Sequence, residues 1–331
     1  MKKININENE LNNIKKMHLT RCLKLCTTYC KKIKEQLNNN DDIDLSQLYK
    51  ILPKNLEINI SENNKIEILR HLSQKIETFL KDITEHADML FINNPFDTNM
   101  EINPHYNEIF KNKNDDFGIL NHSYKIFRNY RKREWCASKY IKKINVITCP
   151  YCGQSYISFV QKRNGDIILE GDLDHYYPKS KYWYLTLNLY NLIPICKTCN
   201  STYKGDNDSH VINPYIESID DKITFEFKNI DNYILRNEDV IVNIKKKEPN
   251  NINLTNHIEI LELKNRYEFY QNIIKSIIKK RHKYNDNYLE QIAKLTKYDK
   301  KIIETNIIKQ DILSDDEPFL KFKIDLWKQI S

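Results

Sequence analysis

A chain of 331 residues, 40% hydrophobic and 29% charged, has room for two or three domains with buried cores. Its longest apolar runs are far too short to cross a bilayer, and no apolar segment follows the two N-terminal lysines, so neither a membrane span nor a signal peptide is expected. The net charge of +7 suits a polyanionic partner, and the cytoplasmic setting so implied keeps the eight cysteines reduced, making paired ones metal ligands before disulfides.

Residues 8 to about 120 read as helical. In ELNNIKKMHLTRCLKLCTTYCKKIKEQL, Leu11, Ile14, Leu19, Leu23 and Leu25 fall near helical spacing, and Cys22, Cys26 and Cys30 recur every four residues. A single helix face surrounds a tetrahedral ion poorly and free cysteine is readily buried, so the stripe reads as core packing. The helix should stop in NNNDDIDLS, with Ser46 capping a short successor. NKIEILRHLSQKIETFLKDITEHADML is a second amphipathic helix, and INNPFDTNMEINPHYNE, with its two prolines, a linker or long loop.

The character changes near residue 121. The stretch HSYKIFRNYRKREWCASKYIKKIN, residues 122–145, carries eight basic residues against one acid, with five aromatics interleaved. That is the footprint of a nucleic-acid-facing helix, with Arg128, Arg131, Lys132 and Arg133 as candidate contacts; a solvated helix is the alternative. Further on, YISFVQKR and DIILEGDLD flank Asn164-Gly165, a strong hairpin signal because both residues tolerate the positive φ of a tight turn. Asp174 and His175 are then expected at the end of the hairpin's second strand.

After residue 217, KITFEFKNI and VIVNIKKK alternate as antiparallel strands. TNHIEILELKNRYEFYQNIIKSIIKKRHKY reads as one long helix capped by Thr255 or Asn256, and LSDDEPFLKFKIDLWKQI as a closing helix.

The chemistry lies in the centre. Cys149, Cys152, Cys196 and Cys199 form two Cys-x-x-Cys pairs, each able to bite one metal through a tight turn, and together they supply the four soft thiolates of a structural zinc site. The 43 residues between the pairs exceed the gap of a simple zinc ribbon, so a folded insert is expected there. Cys136 reads as packing. The cage pins the start of the helix KTCNSTYKGD, on which Lys204 follows Asn200 by four residues and shares its face. Asn191, just before the chain returns to the cage, is held nearby.

These motifs resemble the HNH nucleases of the ββα-metal fold, whose pattern is an acid-His pair ending one strand, an Asn in the connection to the next, and a His or Asn on the following helix. LDHYYPKS, LYNLIP and CKTCNSTYK match in that order. The resemblance implies His175 as general base, Asn191 as the residue orienting the loop, and Asp174 with Asn200 as ligands of a catalytic Mg²⁺ or Mn²⁺. Asn in the third position makes this an HNN variant, as in the HNH domain of RNA-guided CRISPR nucleases, and suits a hard, oxygen-liganded ion. Phosphodiester hydrolysis independently asks for such a set: a neutral imidazole to take a proton, and a divalent ion to stabilise the phosphorane and leaving oxygen. Adjacent strand residues point to opposite faces, so a distorted strand end, stopped by Pro178, is expected to turn Asp174 and His175 toward one phosphate. Lys179, Lys181 and Lys204 are candidate phosphate contacts.

CPYCG, LDHYYPKSKY, NLIPICKTCN and the later NPY are also similar to bacterial HNH effectors of Septu-type antiphage systems, which implies an AAA/ABC-type ATPase partner docking on the helical flanks. The expected architecture is α+β: a mainly helical region over 1–120, a zinc-bound ββα-metal core over 121–217, and a C-terminal α/β region over 218–331. The expected function is a metal-dependent endonuclease acting on nucleic acid, DNA ahead of RNA. The alternatives are a stand-alone restriction or homing-type nuclease, and a zinc-ribbon nucleic-acid-binding module without catalysis.

Overall fold

The computed structural model describes residues 1–38, 65–96, 101–110, 113–116, 118–129, 135–157, 159–163, 167–207, 210–304 and 317–330. Ser46, Arg131, Lys132, Arg133 and the Asn164-Gly165 turn lie outside them. The chain is α+β, with small antiparallel sheets between helical regions. Among the described residues no helix is long and apolar enough to cross a membrane.

Helix α1 (Glu8–Asn38) lies along α2 (Lys65–Glu85). Ile14, Cys22, Leu25, Cys26, Cys30, Ile33 and Leu37 recur at helical spacing and are buried, facing Leu72, Ile76 and Ile83. Each fully buried aliphatic chain of this kind stabilises by about 1.5–3 kcal/mol. The cysteine stripe is part of this core, and burial pushes the Cys30 thiol up to about 12, so it stays protonated.

Two short helices follow, α3 (Ala87–Phe91) and α4 (Pro104–Phe110), before α5 (Ile119–Asn129) and α6 (Ala137–Ile144), which both pack on α1. Asp115 caps α5, its carboxylate accepting from Ile119 N at 2.7 Å and Leu120 N at 2.9 Å. The single basic helix expected over 122–145 is therefore two helices, and Cys136 between them is extended at φ −155 and ψ 172. Its cations diverge: Arg128 on α5 pairs with Asp172, and Lys143 on α6 pairs with Glu10 on α1.

Strands β1 (Phe159–Gln161) and β2 (Ile167–Leu169) form the expected hairpin, but it ends before the acid-His pair. A separate strand, β3 (Asp172–His175), begins after Gly171 and pairs with β4 (Leu192–Ile195). The break has a packing cause. A Cβ on residue 171 would sit 2.6 Å from Ile157 Cγ2 and 3.0 Å from the Ile195 carbonyl, so the backbones approach there as only glycine permits.

The C-terminal strands β5 (Ile223–Lys228) and β6 (Ile241–Lys246) pair antiparallel as expected, with helix α8 (Ile230–Arg236) between them; the preceding helix, α7 (Thr198–Lys204), belongs to the site described below. The expected long helix is three: α9 (Ile252–Ile260), α10 (Leu263–Glu268) and α11 (Gln271–Lys283). Glu262 turns left-handed at φ 49 and Tyr270 leaves the helical region, which breaks the run twice. Asn251, not Thr255 or Asn256, caps α9 by accepting from Leu254 N at 2.9 Å. After α12 (Asp286–Thr296), the closing helix α13 (Leu320–Ile330) docks on β5, where Asp325 accepts from Phe225 N at 2.9 Å.

Candidate metal centre and active-site cleft

The four paired cysteines converge. Their sulfurs all lie within 4.8 Å of one another, and Cys152 Sγ is 3.9 Å from Cys196 Sγ. Tetrahedral zinc with bonds of ~2.3 Å would space sulfurs by about 3.8 Å, so the donor set fits that ion. Each knuckle is a turn closed by its own backbone, Gly153 N donating to Cys149 O at 2.8 Å and Asn200 N to Cys196 O at 3.1 Å. Gly153 takes the left-handed φ of 64 that this turn requires. Backbone N–H groups of Gln154, Cys196 and Cys199 point at sulfurs at 3.4 Å, which stabilises thiolate character. Hydrogen bonds from Cys149 and the other two cysteines hold Cys196 well below the usual thiol range.

The C-terminal helices grip this cage from outside. Tyr267 Oη donates to Cys152 O at 2.6 Å, His257 Nε2 to Tyr151 O at 2.9 Å, and Arg266 Nη1 to Cys199 Sγ at 3.4 Å, its guanidinium lying over the Tyr203 ring. Tyr151, inside the first knuckle, passes the constraint on, its Oη donating to Asp174 Oδ2 at 2.9 Å. On the far side, His18 Nε2 donates to Leu187 O at 2.7 Å while its Nδ1 accepts from Trp135 Nε1 at 3.2 Å.

His18 and His257 are fully buried, and desolvation pushes each down to about 4, from an ordinary 6.5. Histidines neutral in the fold contribute stability that is full above pH 6.5 and is lost as pH falls toward 4. At pH 5 each should cost about 2 kcal/mol. Asp115, pushed up to about 6 by burial, works oppositely and returns about 1 kcal/mol as it protonates. His175 of the cleft, pushed down to about 3, adds a further loss of about 2 kcal/mol. A net loss of roughly 4–5 kcal/mol from pH 7 to pH 5 is expected in urea unfolding; equal midpoints at the two pH values would refute it.

From β4 the chain runs through Cys196 into α7 (Thr198–Lys204), a wide π-type turn in which Gly205 N donates to Asn200 O at 2.9 Å. Strand, strand and helix thus form one unit. Residues i and i+4 of so wide a turn lie on one side of it, and residues i and i+2 of a strand share a face, so the Asn200/Lys204 pair of α7 meets the Asp172/Asp174 pair of β3. Asn200 Nδ2 donates to Asp172 Oδ2 at 2.7 Å. Lys204 Nζ donates to Asp174 Oδ1 at 3.0 Å and to His175 O at 2.9 Å.

The connection between β3 and β4 is folded around Asn191. This fully buried amide accepts from Tyr177 N at 2.8 Å and donates to Tyr177 O at 3.1 Å and Leu185 O at 3.0 Å. The loop so closed presents Thr186 O to His175 Nε2 at 2.9 Å. A carbonyl only accepts, so Nε2 carries the proton and Nδ1 the lone pair. Tyr124 of α5 meets the imidazole edge-to-face at 4.5 Å. Burial is the main cause that pushes His175 down to about 3, with Lys179, Lys204 and Arg128 adding to it, and keeps the ring neutral.

A cleft of about 240 Å³ runs here, bordered by Tyr124, Arg128, Lys179, Asn200 and all four residues of β3. The expected distortion of the strand end is absent: pairing continues through His175, and Tyr176 N still donates to Asn191 O at 2.9 Å. Asp174 and His175 nevertheless both border this cleft, along a strand that among the described residues pairs on one edge only, with β4.

Two carboxylates and the amide oxygen of Asn200 are hard donors of the kind Mg²⁺ and Mn²⁺ take, so the chemistry of the set fits such an ion. Each carboxylate already faces a cation. Asp174 is buried against Lys204, and desolvation still raises its carboxyl above the ordinary range. Asp172 faces Arg128 Nη2 at 2.8 Å.

Several expected roles shift accordingly. Asn200 bonds Asp172 rather than Asp174. Lys204, expected at a phosphate, is buried as the counter-charge of Asp174. Lys181 is exposed and does not border the cleft, whereas Lys179 does, with Nζ donating to Asn121 Oδ1 at 3.0 Å. Sequence reasoning passed over Asp172, although an acid two residues before Asp174 shares its strand face. It also passed over Tyr151 and Tyr124, which carry no signal beyond their position beside a motif. Comparison with known protein families, with curated proteins and with solved structures returns no match to this chain.

Proposed function

We propose that this protein is a metal-dependent endonuclease of HNH type that hydrolyses phosphodiester bonds of nucleic acid, DNA ahead of RNA. One observation carries the reading. A strand–strand–helix unit, tied at its β4–α7 junction to the four-cysteine cage, lines one cleft with a neutral imidazole, two carboxylates and an amide. In this reading zinc holds the cage.

His175 takes the proton of the attacking water on Nδ1, since Nε2 is tied to Thr186 O. Asn191 acts through the loop that presents this carbonyl, and is a positioning residue. A bound Mg²⁺ or Mn²⁺ would supply Lewis-acid stabilisation of the phosphorane and of the leaving 3′ oxygen. Arg128 and Lys179 at the rim offer cationic contacts to the phosphate. The similarity to Septu-type effectors supports an ATPase partner on the helical flanks. A second reading, a zinc-stabilised binding module without catalysis, is favoured by the occupation of both Asp174 oxygens by Tyr151 and Lys204.

The test is His175→Ala. It should lower cleavage in Mg²⁺ by about 10² to 10⁴ while leaving nucleic-acid affinity at the wild-type level. Wild type and variant must be assayed with any ATPase partner present. Equal cleavage by the two proteins would remove His175 from the mechanism, and tight binding with no cleavage by wild type would establish the second reading.

A further inference from the structure

We propose that the divalent-cation site of this protein is built on Asp172 and Asn200, with Arg128 as a resident cation that occupies Asp172 and withdraws when the site fills. The inference rests on the metal-dependent reading above and changes which acid serves it.

The two acids of β3 differ in how their cations are held. Lys204 and Asp174 have side chains only 2% and 3% exposed, and the ammonium also bonds the His175 carbonyl. Tyr151 takes the other Asp174 oxygen. Displacing Lys204 would strand a charge in a buried site, which is strongly unfavourable. Arg128 stands differently. Its side chain is 46% exposed, so its guanidinium can leave Asp172 for solvent at little cost. Asp172 is therefore the carboxylate that can change partners.

Asn200 supports the same choice. Its Nδ2 donates to Asp172 Oδ2 at 2.7 Å, which brings the amide against that carboxylate and leaves Oδ1 as a second hard donor beside it. Arg128 borders the same cleft. Once free of Asp172, it is placed to take a phosphate oxygen, so cation binding and substrate contact are linked through one side chain.

Mn²⁺ titration of the zinc-loaded full-length chain, without nucleic acid, reads this directly. Calorimetry or the paramagnetic resonance of free Mn²⁺ would serve. Arg128→Gln should tighten Mn²⁺ by about fivefold, the upper end for losing an ion pair whose cation alone is half-exposed. Asp172→Asn should abolish the binding. Asp174→Asn combined with Lys204→Met replaces the buried pair by a neutral one and should bind Mn²⁺ as wild type does, its fold checked by thermal melting. Retained binding in Asp172→Asn, its loss in the folded double variant, or no tightening in Arg128→Gln would each overturn the proposal. Cleavage is scored separately: this Mn²⁺ pattern without any cleavage would fail the nuclease reading and leave the cation site standing.

Discussion

Replacing Cys196 by serine should leave a protein that does not hold its central fold. A four-thiolate zinc site contributes about 10–16 kcal/mol at neutral pH, as large as the whole stability of a typical domain. Its loss here would also release the knuckle carrying Tyr151 and the helix carrying Asn200 and Lys204, which together fix β3. Elemental analysis should return about one zinc per chain, since one cage holds one ion. A chelator strong enough to remove it should abolish cooperative melting. Cys22→Ala is the comparison: buried in the helical core, it should cost only roughly 1–2 kcal/mol. Well-folded protein free of zinc, or a mild Cys196→Ser, would refute the structural role.

Lys204→Met should destabilise by about 3–5 kcal/mol, because it leaves the Asp174 carboxylate buried without its cation. Adding Asp174→Asn should recover most of that loss, giving a coupling of a few kcal/mol between the two sites. The sign of the pH effect follows. Desolvation already raises the Asp174 carboxyl, and without Lys204 it rises further. A carboxyl raised in the fold favours the folded state below its unfolded value near 3.8 and disfavours it as pH climbs through the raised value. Lys204→Met should therefore lie closer to wild type at pH 5 than at pH 7. Denaturant unfolding of the four proteins of the cycle measures this, and additive effects would show that the pair is not coupled.

The cage was legible because Cys-x-x-Cys is a local instruction: two residues between ligands set the bite whatever the remainder does. The placement of Asn191 in the connecting loop and of Asp174 and His175 at a strand end was legible for a related reason, since it depends on short-range order along the chain. Partner choice was not legible. Whether Asn200 meets Asp172 or Asp174 depends on the relative phase of α7 and β3, which the π-type turn sets and no residue type announces. Nor does a sequence mark that Glu262 will turn left-handed inside a helical pattern, as it has neither glycine nor proline to signal it. The hairpin was found but extended too far, because the close approach at Gly171 involves Ile195, distant along the chain.

The grip of α9 and α10 on the cage bears on how this protein can be cut down for study. A fragment ending near residue 217 would retain every residue of the cysteine cage and the cleft, yet would lose the donors from His257, Arg266 and Tyr267. Tyr151 O and Cys152 O would then face bulk water in place of fixed donors, and the apolar surface that Leu254, Leu261 and Leu263 bury would be uncovered. An expression boundary set after α11 at residue 283 keeps the grip but removes α13, whose Phe322 packs against Tyr267 at 4.9 Å. The smallest unit containing the cleft is accordingly expected to run through α13, and spectroscopy or crystallisation is best begun from a chain whose C-terminal end is left uncut.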